Sequence, residues 1–314
     1  MLLLTSFLNA HGGTFAVAVS DMFPLPGTAR RKDLVTAQFG TGEQAQEYAD
    51  AHALPRPDSQ HRAARIRLLH ELLAQFPEGE LLDAGCGPGV LARSLLISPA
   101  YSYRITLLDQ SEAMIRYSVQ HADGNKMLAV VGDLESLPFA DASFDVIVST
   151  GALEYTDARS AVRQLSRVTR PGGMVLVSML NPLSPYWISD WFLCRPAVRL
   201  LSWANRTLRI PVKHSYGESR SGIRALGPPV LSRCLRQSGL VPADVVYFGL
   251  TPLVRPLDRI AALRRWAARS SGQRLATRGV RRWMATGYVI VAQRQTGEAP
   301  PRRLISNRTP EERP

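Results

Sequence analysis

The apolar positions of this chain change period several times. From Ile66 to Phe76 they recur at helical spacing through Leu69, Leu72 and Leu73, which predicts an amphipathic helix over 61–76. Short apolar runs then follow at about 80–84, at Arg104–Leu108, at about 127–131, at Phe144–Ser149 and at Met174–Leu180. Each is too short for a helix and is bounded by Gly, Asp or Pro, so each predicts a strand. Between them lie helical patterns: Leu91, Leu95 and Leu96; a stretch with Ser111 as N-cap and Glu112 in its first turn; and a helix capped by Asp157 that runs through Val168. Arg170-Pro171-Gly172-Gly173 reads as a turn. Strand and helix thus alternate as a parallel, doubly wound α/β sheet requires. Beyond residue 180, Val230–Gly239 predicts a helix with a glycine stop, and Val245–Leu250 and Tyr288–Ala292 predict two more strands. The expectation is a seven-stranded sheet, mostly parallel, with an antiparallel last strand.

The most informative stretch joins the first strand to the helix after it. It reads Leu82-Asp83-Ala84-Gly85-Cys86-Gly87-Pro88-Gly89-Val90. Glycines at a strand-to-helix turn let a ligand approach the backbone where a Cβ would collide. A dinucleotide turn of the G-x-G-x-x-G type needs glycine where this chain has Val90, and a phosphate loop needs a lysine that is not there. The D-x-G-x-G-x-G pattern resembles instead the first motif of the class I S-adenosylmethionine (SAM) methyltransferases. Further stretches match that family in order: Asp109 and Gln110 at the end of the second strand; Gly132-Asp133-Leu134 after the third; Leu137-Pro138-Phe139, then Ser143–Val148, leading into the fourth; and Arg167–Gly173 before the fifth. The resemblance covers about residues 80–180. It is to the small-molecule branch that includes quinone-biosynthesis and malonyl-carrier-protein methyltransferases.

The resemblance implies a Rossmann-like fold with SAM as cofactor. It implies that Asp83, Gly85, Gly87, Gly89, Asp109, Gln110, Asp133, Leu134 and Gly151 bind it. Asp109 would accept from the ribose hydroxyls, Asp133 and the Leu134 backbone would meet the adenine, and Asp83 would orient the loop or meet the methionine amino group. Tyr48 matches an N-terminal helix that closes over the methionine end. Where relatives place a His or a Glu-His pair after the fourth strand, this chain has Glu154-Tyr155. Glu154, Tyr155, His214 and Tyr216 are the candidate catalytic residues. No metal site is expected.

Composition and charge narrow the partners. The 314 residues carry a net charge of +12, and the pI is about 10.2. That favours anionic partners, either a substrate, an acidic carrier protein or a lipid surface. Nucleic acid fits less well, because the Asn/Asp-Pro-Pro-Tyr motif of amino-methylating enzymes has no counterpart after the fourth strand. Cys86, Cys194 and Cys234 are too far apart for a metal or disulfide framework, which fits a cytoplasmic protein with peripheral membrane contact as a further expectation.

The expected organisation is an N-terminal extension, partly disordered, over 1–40; a SAM-binding core over 41–180; a cap insertion over 181–226; the end of the core over 227–294, with a second insertion at 251–285; and a disordered tail over 295–314. The first insertion interleaves Tyr186, Trp187, Trp191, Phe192 and Trp203 with Arg195, Arg199, Arg206 and Arg209. The second holds nine arginines from Arg255 to Arg282, with Trp266 and Trp283. Both leave the ligand-binding edge of the sheet, so a helical cap over the site is expected. The acceptor expected is an apolar or aromatic small molecule, such as a polyketide, quinone or lipid-like metabolite of bacterial secondary metabolism. The alternatives are a carrier-bound or nucleic-acid acceptor, and a non-catalytic partner protein with the same fold.

Overall fold

A computed structural model describes residues 39–53, 57–120, 127–190, 224–250 and 280–296, with positions 192, 257, 260, 262 and 263. The elements in chain order are α1 (Gly42–Ala53), α2 (Pro57–Leu73), β1 (Glu78–Ala84), α3 (Val90–Leu96), β2 (Ser102–Asp109), α4 (Glu112–Gln120) and β3 (Met127–Val131). Then come β4 (Phe144–Thr150), a 3-10 turn (Leu153–Tyr155), α5 (Ala158–Val168), β5 (Thr169–Leu180) and α6 (Pro185–Ser189). The chain closes through α7 (Pro228–Gln237), β6 (Leu240–Leu250), a second 3-10 turn (Val280–Met284) and β7 (Ala285–Arg294).

One seven-stranded sheet runs in the order β3-β2-β1-β4-β5-β7-β6. The first five of these are mutually parallel, and β7 is antiparallel to both β5 and β6. Strand order reverses between β1 and β4, where Leu81 pairs with Val146 and Asp83 with Val148. A crevice at the carboxyl ends of such strands is the ligand site of open α/β sheets.

The apolar runs are continuous because the strands are covered on both faces. Leu81, Val146, Val148 and Leu176 face one side, where Leu68, Leu69, Leu72 and Leu73 of α2 and Leu91 and Leu95 of α3 cover them. Leu82, Ile147, Val175 and Val177 face the other, under Val162 and Leu165 of α5 and Leu231 and Leu235 of α7. Both predicted caps form: the Met114 amide donates to Ser111 Oγ at 3.2 Å, and the Ser160 amide to Asp157 Oδ2 at 2.9 Å.

The structure departs from the sequence reading in particular places. The helix expected over 61–76 sits at 57–73, and Phe76 packs from the loop beyond it. The turn expected at 170–173 lies inside β5. Thr169 already pairs with Phe144, and the register then jumps so that Met174 pairs with Val146. Gly172 absorbs the jump at φ +79°, and a Cβ on Gly173 would stand 2.8 Å from the Asp145 carbonyl. The segment is therefore a bulge. Strands β6 and β7 begin earlier than predicted, at Leu240 and Ala285, because each pairs along most of its partner.

Most of the two predicted insertions lies outside the described residues. Their described ends meet. Asn181 Nδ2 donates to the Ala285 carbonyl at 2.9 Å and to the Arg282 carbonyl at 3.2 Å, and Trp187 Nε1 donates to the Thr286 carbonyl at 2.8 Å. The first segment thus leaves and the second returns at one seam, where β5 ends and β7 begins. No helix among the described residues is long and apolar enough to cross a membrane.

Candidate functional site

Gly85, Gly87 and Gly89 hold φ values of 80°, 53° and 71°, in the left-handed region that strains any other residue. Packing adds a second constraint at two of them. A Cβ on Gly85 would lie 2.3 Å from the Ala152 Cβ, and one on Gly89 would lie 2.9 Å from the Ser118 Cβ. Gly87 differs: among the described residues only the Tyr48 ring, at 3.8 Å, comes near its Cβ position. The turn is packed at its two ends and faces α1 at its middle.

Two carboxylates flank it. Asp109 is fixed by backbone, with Oδ2 accepting from the Gly87 amide at 2.8 Å and Oδ1 from the Ser111 amide at 2.9 Å. Burial raises its pKa, opposed by these bonds. Asp83 is 1% exposed, and neither of its oxygens has a hydrogen-bond partner among the described residues. Burial first, then the charge of Asp109, push it up to about 7, against the pull of Arg65. A buried carboxylate without a donor is costly, and no described residue meets that cost here.

Arg65 on α2 is the residue that sequence reasoning missed. Its Nε is buried without an acceptor among the described residues, and Nη1 lies 3.3 Å from the Cβ position of Gly151. Arg65 also opposes the raised pKa of Glu154, so it stands between the two buried acids. The available signal was an arginine beside Ile66 in an otherwise apolar helical stripe. His70, one turn on, anchors α2: its ring meets Ser94 Oγ at 2.9 Å, and its carbonyl accepts from the Tyr101 hydroxyl at 2.8 Å.

Glu154 is 5% exposed, and burial raises it to about 7. Its Oε1 accepts from the Leu180 amide at 2.7 Å, and its carbonyl accepts from the Arg224 amide at 2.9 Å. It ties the loop after β4 to the end of β5. Tyr155 and Tyr48 both meet Phe39 edge to face, at centroid distances of 6.3 and 5.3 Å. Ser111 Oγ donates to the Phe39 carbonyl at 2.5 Å, so the entry to α1 folds over the glycine turn.

The remaining predicted residues fall along the same edge. Gln110 follows Asp109, and the Gly132 amide donates to the Asp109 carbonyl at 3.0 Å. Asp133 Oδ1 accepts from the Glu135 amide at 2.9 Å. Leu134 is buried, with a methyl 3.6 Å from the Gly85 Cβ position. Gly151 ends β4 at φ +66°. His214 and Tyr216 lie outside the described residues. Among the described residues no group of three or more His, Cys, Asp or Glu could hold a metal ion.

Comparison with known proteins gives this edge its chemistry. A family model described as a methyltransferase domain matches residues 82–177, the segment that contains the glycine turn and both flanking acids. Residues 82–177 form a class I SAM-dependent methyltransferase domain. A malonyl-[acyl-carrier protein] O-methyltransferase of Erwinia pyrifoliae is 42% identical over 130 residues, 40% of this chain and 48% of that protein. One from Dechloromonas aromatica is 33% identical over 159 residues, 51% of this chain and 55% of that protein. The chain thus spans about half the length of the curated relatives it matches. A SAM-dependent methyltransferase from Thermotoga maritima superposes with a TM-score of 0.54 at 17% identity, covering 81% of this chain and 98% of that one, a likeness of fold.

The methyltransferase domain fits its cofactor. SAM carries an ammonium and a carboxylate at its methionine end, and the site holds one orphaned anion, Asp83, and one orphaned guanidinium nitrogen, on Arg65.

Proposed function

We propose that the chain transfers the methyl group of SAM to a carboxylate oxygen of an acyl thioester held on an acidic carrier protein. The observation that carries the cofactor half is Asp83, without a partner among the described residues and buried beside the glycine turn. Asp83 holds the methionine ammonium and Arg65 the methionine carboxylate. Asp109, already fixed by the Gly87 and Ser111 amides, offers its remaining lone pairs to the ribose hydroxyls. Asp133 and the Leu134 amide meet the adenine.

The bound cofactor supplies a methyl activated by positive sulfur. The protein aligns the acceptor with it and excludes water, and such positioning is worth roughly 7–11 kcal/mol. A carboxylate acceptor has no proton to lose, so the site needs no general base. Glu154, engaged by the Leu180 amide, acts as a positioning residue for the rim, and Tyr155 helps to close it. The relatives' names support the acceptor class, and the positive charge of the chain suits an acidic carrier. A second reading, an apolar or aromatic small-molecule acceptor, is favoured by Tyr186 and Trp187 where the first insertion leaves the seam.

The test is incubation of the full chain with isotopically labelled SAM and, separately, a malonyl-carrier thioester, malonyl-pantetheine and a panel of phenols. Mass spectrometry should find the label as a methyl ester on the malonyl thioesters. Label on phenols alone would establish the second reading instead, and SAM binding without turnover of any acceptor would point to a non-catalytic partner.

A further inference from the structure

Two sets stand out among the described arginines. Arg104, Arg116, Arg167 and Arg170 pair with Glu80, Glu112, Asp141 and Asp145. Arg159 and Arg163 on α5, Arg233 and Arg236 on α7, and Arg224 just before α7 are all exposed, and none has an ion-pair partner among the described residues.

The second set forms one face. α5 buries Ala161, Val162 and Leu165, and α7 buries Leu231 and Leu235, so the arginines on each helix point away from the sheet. The two helices run side by side in the same direction, joined where Ser166 Oγ donates to the Ser238 carbonyl. Neither helix contains an Asp or Glu. Asp157, which caps α5 through the Ser160 amide, feels the charges of Arg163 and Arg224 without an ion-pair contact to either, and Asp141 holds Arg167.

The face is continuous with the site. α5 begins just past Glu154-Tyr155. The approach to α7 is fixed to the same rim, where the Arg224 amide donates to the Glu154 carbonyl and the Leu226 amide to Met179 Sδ. Arg163 lies only about 6 Å along the helix from Arg159, and Arg233 about 8 Å from the start of α7. A partner seated here stands beside the carboxyl edge of the sheet, within reach of a flexible prosthetic arm.

We infer that the outer face of α5 and α7 is the docking surface for an acidic carrier protein, oriented so that its thioester arm enters past Arg224. This rests on the carrier-bound acceptor proposed above. Like-signed exposed arginines, offset here only by Asp157 beside Arg163 and Arg224, steer an acidic protein and release it as salt rises.

The test uses the full chain and two double variants, Arg159→Glu with Arg163→Glu and Arg233→Glu with Arg236→Glu. Against a malonyl-carrier thioester each should raise KM roughly tenfold or more and flatten its salt dependence. Turnover of malonyl-pantetheine, the Kd for SAM and the melting temperature should stay at wild-type values. If the wild type methylates the carrier thioester and the variants keep its KM, this surface is overturned while the proposed reaction stands. A wild type that methylates free acceptors and ignores the carrier thioester removes both. Binding to RNA or anionic vesicles that the variants abolish, with carrier turnover unchanged, also overturns the assignment.

Discussion

The two halves of the strand edge follow opposite rules. Around β1 and β2 polar groups are left wanting: both Asp83 oxygens and Arg65 Nε are buried without partners among the described residues. Around β5 and β7 polar groups close on one another. Asn181 and Trp187 donate to carbonyls at the start of β7, the Tyr288 hydroxyl donates to the Leu226 carbonyl, and Glu154 accepts from the Leu180 amide. The first half leaves a buried acid and a guanidinium nitrogen that no described residue satisfies. The second is nearly satisfied, with Ser184 Oγ its one buried side-chain atom lacking a partner among the described residues, and two long segments depart from it. A cluster of unmet buried groups calls for an explanation that a single unmet hydroxyl does not.

The largest effect should come from Gly85→Ala. The new Cβ overlaps Ala152 and the left-handed backbone is strained, so the cost is about 3 kcal/mol or more, read as a lowered melting temperature and loss of SAM binding in calorimetry. Adding Ala152→Gly should recover part of it by removing the overlap. No recovery would mean that the turn is not locked where the geometry places it.

Asp83→Asn comes next. At pH 8 it should weaken SAM binding about 30- to 100-fold, the loss of one charged hydrogen-bonding partner worth roughly 2–3 kcal/mol. The pH dependence gives the sign. A carboxyl raised to about 7 in the folded chain and near 4 when unfolded holds its proton better folded. The cofactor-free protein therefore loses stability as pH rises from about 4 to about 7, and Glu154 adds the same trend. SAM affinity should instead rise with pH towards 7, as Asp83 ionises to meet the ammonium. In Asp83→Asn that rise should vanish. An affinity equally pH-dependent in both proteins would exclude Asp83 as the partner.

Asn181→Ala should have the smallest effect and test the other half. It removes two bonds to carbonyls at the seam and should cost about 1–2 kcal/mol in denaturant unfolding. The Kd for SAM should not change, and a change would mean that the two halves are coupled.

The cofactor half was readable because backbone geometry dictates residue type there. Three positive-φ positions demand glycine, and Asp109 must follow a strand that ends beside them. The strands were legible as apolar runs, although their ends were not: β5 absorbs the glycines at 172–173 as a bulge, which local sequence reads as a turn. Arg65 escaped notice because its role depends on α2 packing beside Gly151, far away in sequence. The seam escaped for the same reason, since Asn181 and Ala285 are brought together only by β7 pairing with β5. The basic face is likewise invisible in a list of arginines until the helices show which of them point outward.

Phe39 ties the entry of α1 to the start of α4. Its ring joins Tyr48 and Tyr155, and among the described residues its cluster buries Ala45 and Met114 with Tyr48, Ala113, Tyr117 and Tyr155 packed against them. One hydroxyl serves both ends of this link: Ser111 Oγ donates to the Phe39 carbonyl and accepts from the Met114 amide. Removing that single oxygen would uncap a helix and release the chain entry in one step, so the two cannot be loosened independently at this position.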